Sequence, residues 1–439
     1  MKRMITSASL LALGAASIHA GNYAPGFAAP DNSRPWSVSA TLRGFYDDNY
    51  ATAPDDPPPG VAGPQSSWGL SITPSISAAL STDQTDFGAR FTWQGDWYAN
   101  RPSDQWDMSY IFDTYMGHTF SPRVNMYIAD SFVYSSEPTL LNPDAPGSQP
   151  FRTDNNNFRN SGNITVNTQM TELLSLVLGY SNNYYSYQQD AADITSLSNP
   201  FGVGSYAALL NRIENLFLLN VVYQVSPVTS ARVGGKFNLV TFTSDDPIAQ
   251  TTAGALIPAD DRNQRQYTFY GGVDHAFTPD FNISVYAGAQ YADFYNDPNG
   301  YNLWAPWADI NAQYLYAEGS YIKLGFRQTF DQTYVLAANS SSSIVYGSVN
   351  HAFTPKLTGN LTCSYQFSSY NSPDTLPAGV PNYDGESASF VALGLGFTYQ
   401  FDRHFFANLQ YLLDLNDSNT AAVYSYTRNR IFFGVGATY

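Results

Sequence analysis

The last ten residues, Arg430-Ile431-Phe432-Phe433-Gly434-Val435-Gly436-Ala437-Thr438-Tyr439, decide the fold. Every second residue counted back from the terminal tyrosine is apolar, whereas the residues between them are mostly small or polar. A period of two belongs to a β-strand, because successive side chains of a strand point to opposite faces. The stretch therefore predicts a strand with one apolar and one polar face that ends on an aromatic residue.

The same alternation recurs along the chain, most clearly in residues 85–98, 357–367 and 391–401. An edge strand of a soluble sandwich would also alternate, but its apolar face would have to fill a common core. Here the aromatic residues gather at strand ends, as they do in the interfacial girdles of membrane barrels, and the polar face carries Arg, Gln, Asn and Gly. The pattern favours an all-β fold, a transmembrane antiparallel up-and-down β-barrel with a water-filled lumen.

The composition agrees with a chain that is apolar on alternate residues. Aromatic residues make up 15% and charged residues only 13% of the 439 residues, against about 25% charged residues in a typical soluble domain. The mean hydropathy is nevertheless −0.26, and no run of about 18 apolar residues predicts a membrane-spanning helix after the N-terminus. The net charge of −16 argues against nucleic acid as a partner. The single cysteine, Cys363, excludes an internal disulfide and is expected to serve packing.

The N-terminus has the pattern of a secretory signal peptide. Lys2 and Arg3 form a short basic region, and an apolar stretch from Leu10 to Ile18 precedes a cleavage site after Ala20. We therefore predict a signal peptide at 1–20, a short periplasmic segment at 21–35 and the barrel at 36–439.

Short turns and long polar connections alternate along the barrel region. The eight short turns are predicted near 81–84, 118–122, 169–172, 224–227, 275–279, 318–320, 351–355 and 401–404. The nine longer connections are predicted at 48–66, 99–104, 135–157, 187–206, 244–263, 296–306, 336–342, 370–387 and 415–424. Together they join about 18 strands, with 16 as the alternative, and place both termini on the short-turn, periplasmic side. The connections at 135–157, 187–206 and 244–263 are long enough to fold into the lumen.

Two predicted strands fit this scheme poorly. Residues 123–134 would place Asp130 on the lipid-facing side, which suggests a bulge or an early strand end. Residues 68–80 carry Pro74 in mid-strand, where a proline cannot donate to the ladder, and the sequence offers no explanation for it.

Several turn and strand-end segments share a family-like pattern. They are the Ala-Phe-Thr-Pro turns at 276–279 and 352–355, the strand start at 306–309, the Glu-Gly-Ser-Tyr segment at 318–321 and the ending from Asn429 to Tyr439. With these segments the chain resembles the β-barrel porin families of Gram-negative outer membranes. The resemblance covers most of the chain after the signal peptide and implies a barrel and a pore. It carries over neither a substrate nor functional residues.

Charged residues on the predicted lumen side are the candidate pore-lining residues. They are Arg43, Arg90, Arg159, Arg212, Arg232, Lys236, Lys323, Arg327, Arg428, Arg430, Asp96, Asp113, Glu214 and Asp274, with Asp107 and Asp331 as further acids. Rings of charge in a pore set ion selectivity, and a basic lumen would lie behind acidic loops that include Asp47, Asp48, Asp55 and Asp56. The alternative is that these charges form ion pairs that brace the wall.

The sequence carries no recognisable catalytic or cofactor motif. Phosphate-binding glycine loops, a His-Glu-x-x-His helix and a Gly-x-Ser-x-Gly elbow are all missing. His118, His275 and His351 precede similar turns and His404 lies in another, so we expect them in a girdle rather than in a metal site. We predict no enzyme activity, no catalytic or metal-binding residues and no cofactor.

The predicted function is an outer-membrane porin that allows passive diffusion of small polar solutes or ions. Two alternatives stay open: a surface-interaction or adhesion barrel, and a substrate-specific saturable oligosaccharide channel. The latter would stack sugars on lumen-side aromatic residues, namely Phe45, Tyr127, Tyr270, Tyr286 and Tyr346. Expected partners are outer-membrane lipid and lipopolysaccharide, small polar solutes, and the outer-membrane barrel-assembly machinery, which would engage the C-terminal strand ending on Tyr439. The sequence does not predict an oligomeric state.

Overall fold

The structure is a computed structural model that describes residues 35–136, 157–188, 205–298, 300–333, 339–373, 376, 382–419 and 425–439. The predicted signal peptide at 1–20 and most of the predicted segment at 21–35 lie outside the described residues.

Eighteen long antiparallel strands form one sheet. They are β1 (Trp36–Asp47), β2 (Ser67–Ser81), β3 (Thr85–Tyr98), β4 (Trp106–Ser121), β5 (Val124–Ser135), β6 (Asn157–Gln169), β7 (Leu174–Tyr187), β8 (Arg212–Ser226), β9 (Thr229–Phe242), β12 (Gln264–Thr278), β13 (Phe281–Asp293), β14 (Asn302–Ala317), β15 (Ser320–Asp331), β16 (Asn339–Ala352), β17 (Leu357–Asn371), β18 (Ser387–Gln400), β19 (Phe405–Ser418) and β20 (Tyr426–Thr438). Between β9 and β12, β10 (Pro247–Gln250) and β11 (Leu256–Pro258) form a separate small hairpin.

The sheet closes on itself. Each long strand pairs with the long strands before and after it in the chain, and β1 also pairs with β20, from Ser39 opposite Thr438 to Asp47 opposite Arg430. The predicted 18-stranded up-and-down barrel is confirmed, and the alternative of 16 strands is wrong. Closure satisfies the backbone groups that an edge strand would expose, which is a requirement inside a membrane.

All eight predicted short turns join the strand pairs for which they were predicted, with two to four residues between the strands. At the other end five predicted bounds were wrong, and two of them are strand ends: β15 ends at Asp331 and β19 continues to Ser418. Strand β14 already begins at Asn302 and β16 at Asn339, while β8 begins only at Arg212, after the short helix α1 (Tyr206–Leu210). No helix among the described residues is long and apolar enough to cross a membrane.

The exposed outer face of the barrel is apolar. Val233, Phe269 and Phe433 are each more than 60% exposed in mid-strand, whereas the alternate residues point inward and are mostly polar, charged or glycine, with some apolar side chains among them. Aromatic pairs such as Trp36 with Tyr439 and Tyr291 with Trp304 lie toward the strand ends. A soluble protein would bury such a surface, so the distribution is that of a transmembrane barrel.

Pro74 lies in an interruption of one ladder only. Strand β2 pairs with β3 at Ile72 and again at Ser75 with no change of register, but Thr73 and Pro74 are left out of that pairing. On the other side, Pro74 stays in register with Ala40 of β1. The missing amide donor is therefore accommodated by a local gap toward β3.

The predicted bulge or early end at Asp130 was wrong. Strand β5 continues to Ser135, and its register with β6 is unbroken from Val124 to Ser135. The only shift toward β4 lies near the turn, between Thr119 and Ser121. Asp130 therefore stays on the outward face, opposite Thr114 and Gly162.

Candidate functional site: the barrel interior

The candidate site is the inner wall of the barrel, because strand alternation places all fourteen predicted residues on the face opposite the exposed apolar one. They lie on β1, β3, β4, β6, β8, β9, β12, β15 and β20 and so are distributed around the wall rather than gathered in one cluster. The structure brings several of them together in pairs, and it adds inward carboxylates that were not predicted.

At least six of the ten predicted cations form ion pairs with carboxylates of the inner wall. The pairs are Arg90–Asp113 at 2.9 Å, Arg212–Glu214 at 2.7 Å, Arg232–Asp274 at 3.3 Å, Arg327–Asp309 at 3.4 Å, Arg428–Asp47 at 2.5 Å and Arg430–Asp414 at 2.6 Å. Asp309 and Asp414 were not predicted, and Asp47 was wrongly assigned to an acidic loop. These three acids offset three of the predicted cations, so the lumen is less basic than the sequence suggested.

The pair between Arg428 and Asp47 lies where the barrel closes. Asp47 ends β1 and is fully buried, and Arg428 of β20 donates to its carboxylate through both Nε and Nη2. Breaking a buried ion pair by removing one partner costs about 3–5 kcal/mol, because the remaining charge stays buried and uncompensated. This pair therefore ties the first strand to the last.

Asp274 is the most heavily hydrogen-bonded carboxylate of the predicted set. It accepts from Ser284 Oγ at 2.6 Å, from Ser230 Oγ at 3.2 Å, from Arg232 Nη2 at 3.3 Å and from the Tyr286 hydroxyl. Its side chain is 7% exposed. A carboxylate held by four donors from its two neighbouring strands braces the wall, and it offers little to a passing ion.

The other predicted residues make separate contacts. Arg43 donates to Ser71 Oγ at 3.2 Å and lies over the ring of Phe432, with 4.9 Å from its guanidinium carbon to the ring centroid. Asp96 accepts from Gln94 Nε2 at 2.6 Å, Arg159 is buried, and Lys323 lies 5.5 Å from the ring of Tyr321.

Lys236 differs from the paired cations. It makes no ion pair with any described residue, and its Nζ lies 4.5 Å from the ring centroid of Trp307 and 5.5 Å from that of Tyr270. The two rings are themselves in contact, with centroids 4.5 Å apart. Asp309 and Arg327 are close enough to act on the ammonium group electrostatically, and they already form a pair with each other. Trp307 was missed by the sequence analysis, although its alternation with Asp309 marks both as inward.

Aromatic rings of the inner wall lie over glycines of the neighbouring strand. Six directly opposite pairs share this arrangement: Phe45 with Gly69, Tyr115 with Gly88, Tyr270 with Gly234, Tyr286 with Gly272, Tyr346 with Gly325 and Phe406 with Gly436. A Cβ atom built on any of these glycines would come within 2.7 Å of a ring atom. The missing side chains therefore let the rings lie against the wall.

Loop segments pack against the inner wall at the end opposite the short turns. Helix α1 buries Ala208, Leu209 and Leu210 against Val240 and Phe242, which are inward residues of β9. The hydroxyl of Ser205 caps the helix by accepting a hydrogen bond from the amide of Ala208. The same hydroxyl donates to the carboxylate of Asp246 in the next loop. Of the three connections predicted to be long enough to fold into the lumen, residues 244–263 contribute Ile248 and Ala259 to this packing, whereas residues 137–156 and 189–204 lie outside the described residues.

Arg262 links three of the loops. Its Nη1 donates to Leu209 O and its Nη2 to Thr333 O, both at 2.8 Å, and the residue is 4% exposed. Burial, together with the nearby Arg212 guanidinium, lowers the pKa of Arg262 to about 9, so it is still a cation at neutral pH. The contacts hold the β7–β8, β9–β12 and β15–β16 connections together over the lumen.

The four described histidines lie at the short-turn end, on different parts of the rim. His118 and His275 each contact a threonine hydroxyl through Nδ1 at 2.8 Å, His351 contacts the hydroxyl of Tyr316 at 2.8 Å, and His404 contacts a carbonyl of residue 438 at 2.9 Å. Three of them also pack edge-on against the phenylalanine two residues later. Among the described residues no three His, Cys, Asp or Glu side chains form a group that could hold a metal ion.

Comparisons with known proteins give structural neighbours only. No protein-family model matches the sequence, and no curated protein matches it. The chain is similar to OccAB4 of Acinetobacter baumannii, with 12% identity, a TM-score of 0.43 and coverage of 92% of this chain and 99% of that one. It is also similar to OccK2 (OpdF) of Pseudomonas aeruginosa in complex with glucuronate, with 10% identity, a TM-score of 0.45 and coverage of 92% and 98%. The ferric enterobactin receptor PfeA of Pseudomonas aeruginosa gives 10% identity, a TM-score of 0.44 and coverage of 92% and 80%. The assignment of the fold rests on the strand pairing itself.

Proposed function

We propose that this protein is an outer-membrane porin that allows small polar solutes or ions to diffuse passively through its lumen. One observation carries the proposal: a closed wall of 18 strands that is apolar outside and polar inside. Barrels of 16–18 strands leave an aqueous channel, whereas barrels of about eight strands fill with side chains. In this proposal the short turns and both chain ends face the periplasm, and the long connections face outward.

The lumen would select solutes chiefly by size. Most described wall charges are paired, and the loop segment around Arg262 reduces the opening at the loop end. The ion pairs leave a polar surface with little net field, while Lys236 adds a cation that no described carboxylate pairs. We infer weak selectivity, transport rather than catalysis, and contact with lipid and lipopolysaccharide along the apolar belt. The C-terminal strand ending on Tyr439 would be the segment that the barrel-assembly machinery engages.

The contacts of the aromatic residues argue against a continuous sugar-stacking track. Of the five residues predicted for it, Phe45, Tyr270 and Tyr286 are at most 7% exposed. Their ring faces are covered by neighbouring wall residues, so they cannot stack on a passing sugar. Tyr127 and Tyr346 are partly exposed, but they lie on different sides of the barrel, on β5 and β16.

Single-channel recording tests the proposal. Refolded protein whose closed barrel is verified by its heat-modifiable migration in gels is added to a planar bilayer under a salt gradient. Steady openings are expected, with a reversal potential that reports weak selectivity. Absence of openings from verified barrels would contradict the porin and favour a surface-interaction barrel. Solute flux that saturates at low concentration would favour the specific oligosaccharide channel.

A further inference from the structure

One part of the outward face carries a carboxylate in a belt that is otherwise mostly apolar. Asp130 of β5 lies directly between Thr114 of β4 and Gly162 of β6, and Asn160 is the next outward residue of β6. Among the described outward residues that lie more than four positions from a strand end, only Asp130 is a carboxylate or a cation. We call Thr114, Asp130, Asn160 and Gly162 the β4–β6 patch.

Apolar side chains flank the patch along β4, β5 and β6, whereas on β7 Asn182 lies opposite Gly162. Ile128 and Phe132 flank Asp130 along β5, and on β6 the outward neighbour Ile164 is 40% exposed. On β4, Phe112 is 43% exposed and lies opposite Phe132. A carboxylate at this depth is unfavourable against lipid, because acyl chains cannot hydrate it or donate a hydrogen bond.

The barrel itself satisfies this carboxylate only in part. Asn160 Nδ2 donates to both oxygens of Asp130, each at 3.1 Å, whereas an ionised carboxylate can accept about four hydrogen bonds. No described residue shares a hydrogen bond with the hydroxyl of Thr114, which faces the same side from the neighbouring strand. Gly162 has no side chain, and a Cβ there would come within 3.0 Å of Asp130 Oδ1. The Asp130 carboxylate can therefore accept further hydrogen bonds, and the Thr114 hydroxyl beside it can donate one. Gly162 leaves open space next to them.

We propose that the β4–β6 patch is a two-fold interface with a second copy of this chain. A rotation about an axis between Asp130 and Thr114 exchanges acceptor and donor, so each carboxylate accepts from Thr114 of the partner subunit. Such an isologous contact needs one self-complementary surface, and these two residues provide it on adjacent strands. Small residues permit close approach in a membrane, and polar side chains then hydrogen-bond across the contact. A lipid headgroup could not reach this row, which lies in mid-strand.

The proposal rests on the proposed function in one respect, since it requires that the barrel spans a membrane. The test compares Asp130→Leu with Gln328→Leu, a matched change at an outward amide on β15, far around the barrel. Photobleaching steps of labelled protein at high dilution in liposomes report the oligomeric state. We expect dimers for the unmodified chain and for Gln328→Leu, and at least a tenfold weaker association for Asp130→Leu.

A crosslink supplies a second readout that does not depend on the carboxylate. In a Cys363→Ser background, Ile128→Cys lies next to the proposed axis and should form a disulfide between copies on mild oxidation. Folded protein that is monomeric in liposomes, or Asp130→Leu protein that dimerises as well as the unmodified chain, would overturn the proposal. Monomeric Asp130→Leu should still conduct, whereas loss of conductance in every variant would instead contradict the porin.

Discussion

Lys236 is the described lumen cation with the clearest consequence for ions, because its ammonium group lies over Trp307 and no described carboxylate pairs with it. In water, a unit charge and an ion about 8 Å apart have an interaction energy of about 0.5 kcal/mol. Reversal of the charge therefore changes that energy by about 1 kcal/mol. We expect Lys236→Glu to shift the reversal potential toward cation selectivity, with a roughly fivefold change in ion preference at the site.

The matched control for this change is Arg123→Glu, which reverses a charge in an exposed short turn between β4 and β5. It should leave the reversal potential unchanged at moderate salt, because screening limits exposed charges to about 10 Å at 0.1 M. Equal shifts in both variants would show that the whole-molecule field, and not Lys236, governs selectivity.

The inward position of the candidate charges could be predicted from the sequence, but most of their partners could not. A period of two fixes which face a residue occupies. The partner depends on strand register and on barrel closure, as Asp47 and Arg428 show, since they are 381 positions apart in the chain. For the same reason Asp309 and Asp414 went unrecognised as the partners of Arg327 and Arg430.

Several neighbouring strands pack closely because an aromatic ring of one strand lies against a glycine of the other. Gly325 of β15 lies opposite Tyr346 of β16, and an added Cβ would come within 2.1 Å of the ring. We expect Gly325→Val to lower the free energy of unfolding by about 1–3 kcal/mol through overpacking and to reduce conductance by pushing the ring into the lumen. Urea titration of heat-modifiability and single-channel recording measure the two effects.

Gly117→Val provides the comparison. Gly117 lies opposite an inward tyrosine, Tyr127, yet nothing lies within 4 Å of a Cβ built there. This variant should keep both stability and conductance close to those of the unmodified protein. Similar losses in the two variants would mean that valine harms any inward glycine position, and the fit of Tyr346 over Gly325 would then explain nothing.

Local chemistry explains why the short turns were predicted well and the strand ends at the loop side were not. Turns such as Thr354-Pro355 carry their own signal in proline and in side chains that bond the backbone. Strand β14 extends back to Asn302 because its first residues pair with the end of β13 through Asp293, a long-range contact that composition does not reveal. The sequence pattern predicted a strand start at Pro306, but Pro306 lies inside the strand.

The described residues differ between the two ends of the barrel: one rim consists of short turns, while the loops at the other rim pack against the inner wall. Arg262 connects Leu209 and Thr333, which belong to loops on opposite sides of it in the chain. Each hydrogen bond from a charged donor contributes about 1.5–3 kcal/mol, so this one side chain contributes substantially to holding the loops in place.

Removal of that side chain should therefore loosen the loops without opening the barrel. We expect Arg262→Ala to increase current fluctuations in the open channel and to speed proteolysis of the β7–β8 connection, while the heat-modifiable barrel persists. Arg265→Ala is the control, because Arg265 is about half exposed and lies 3.7 Å from Asp293 on the outer side. Unchanged current noise and proteolysis in Arg262→Ala would show that apolar packing of Leu209 and Leu210 on β9 holds the loops by itself, because that packing remains when the guanidinium is removed.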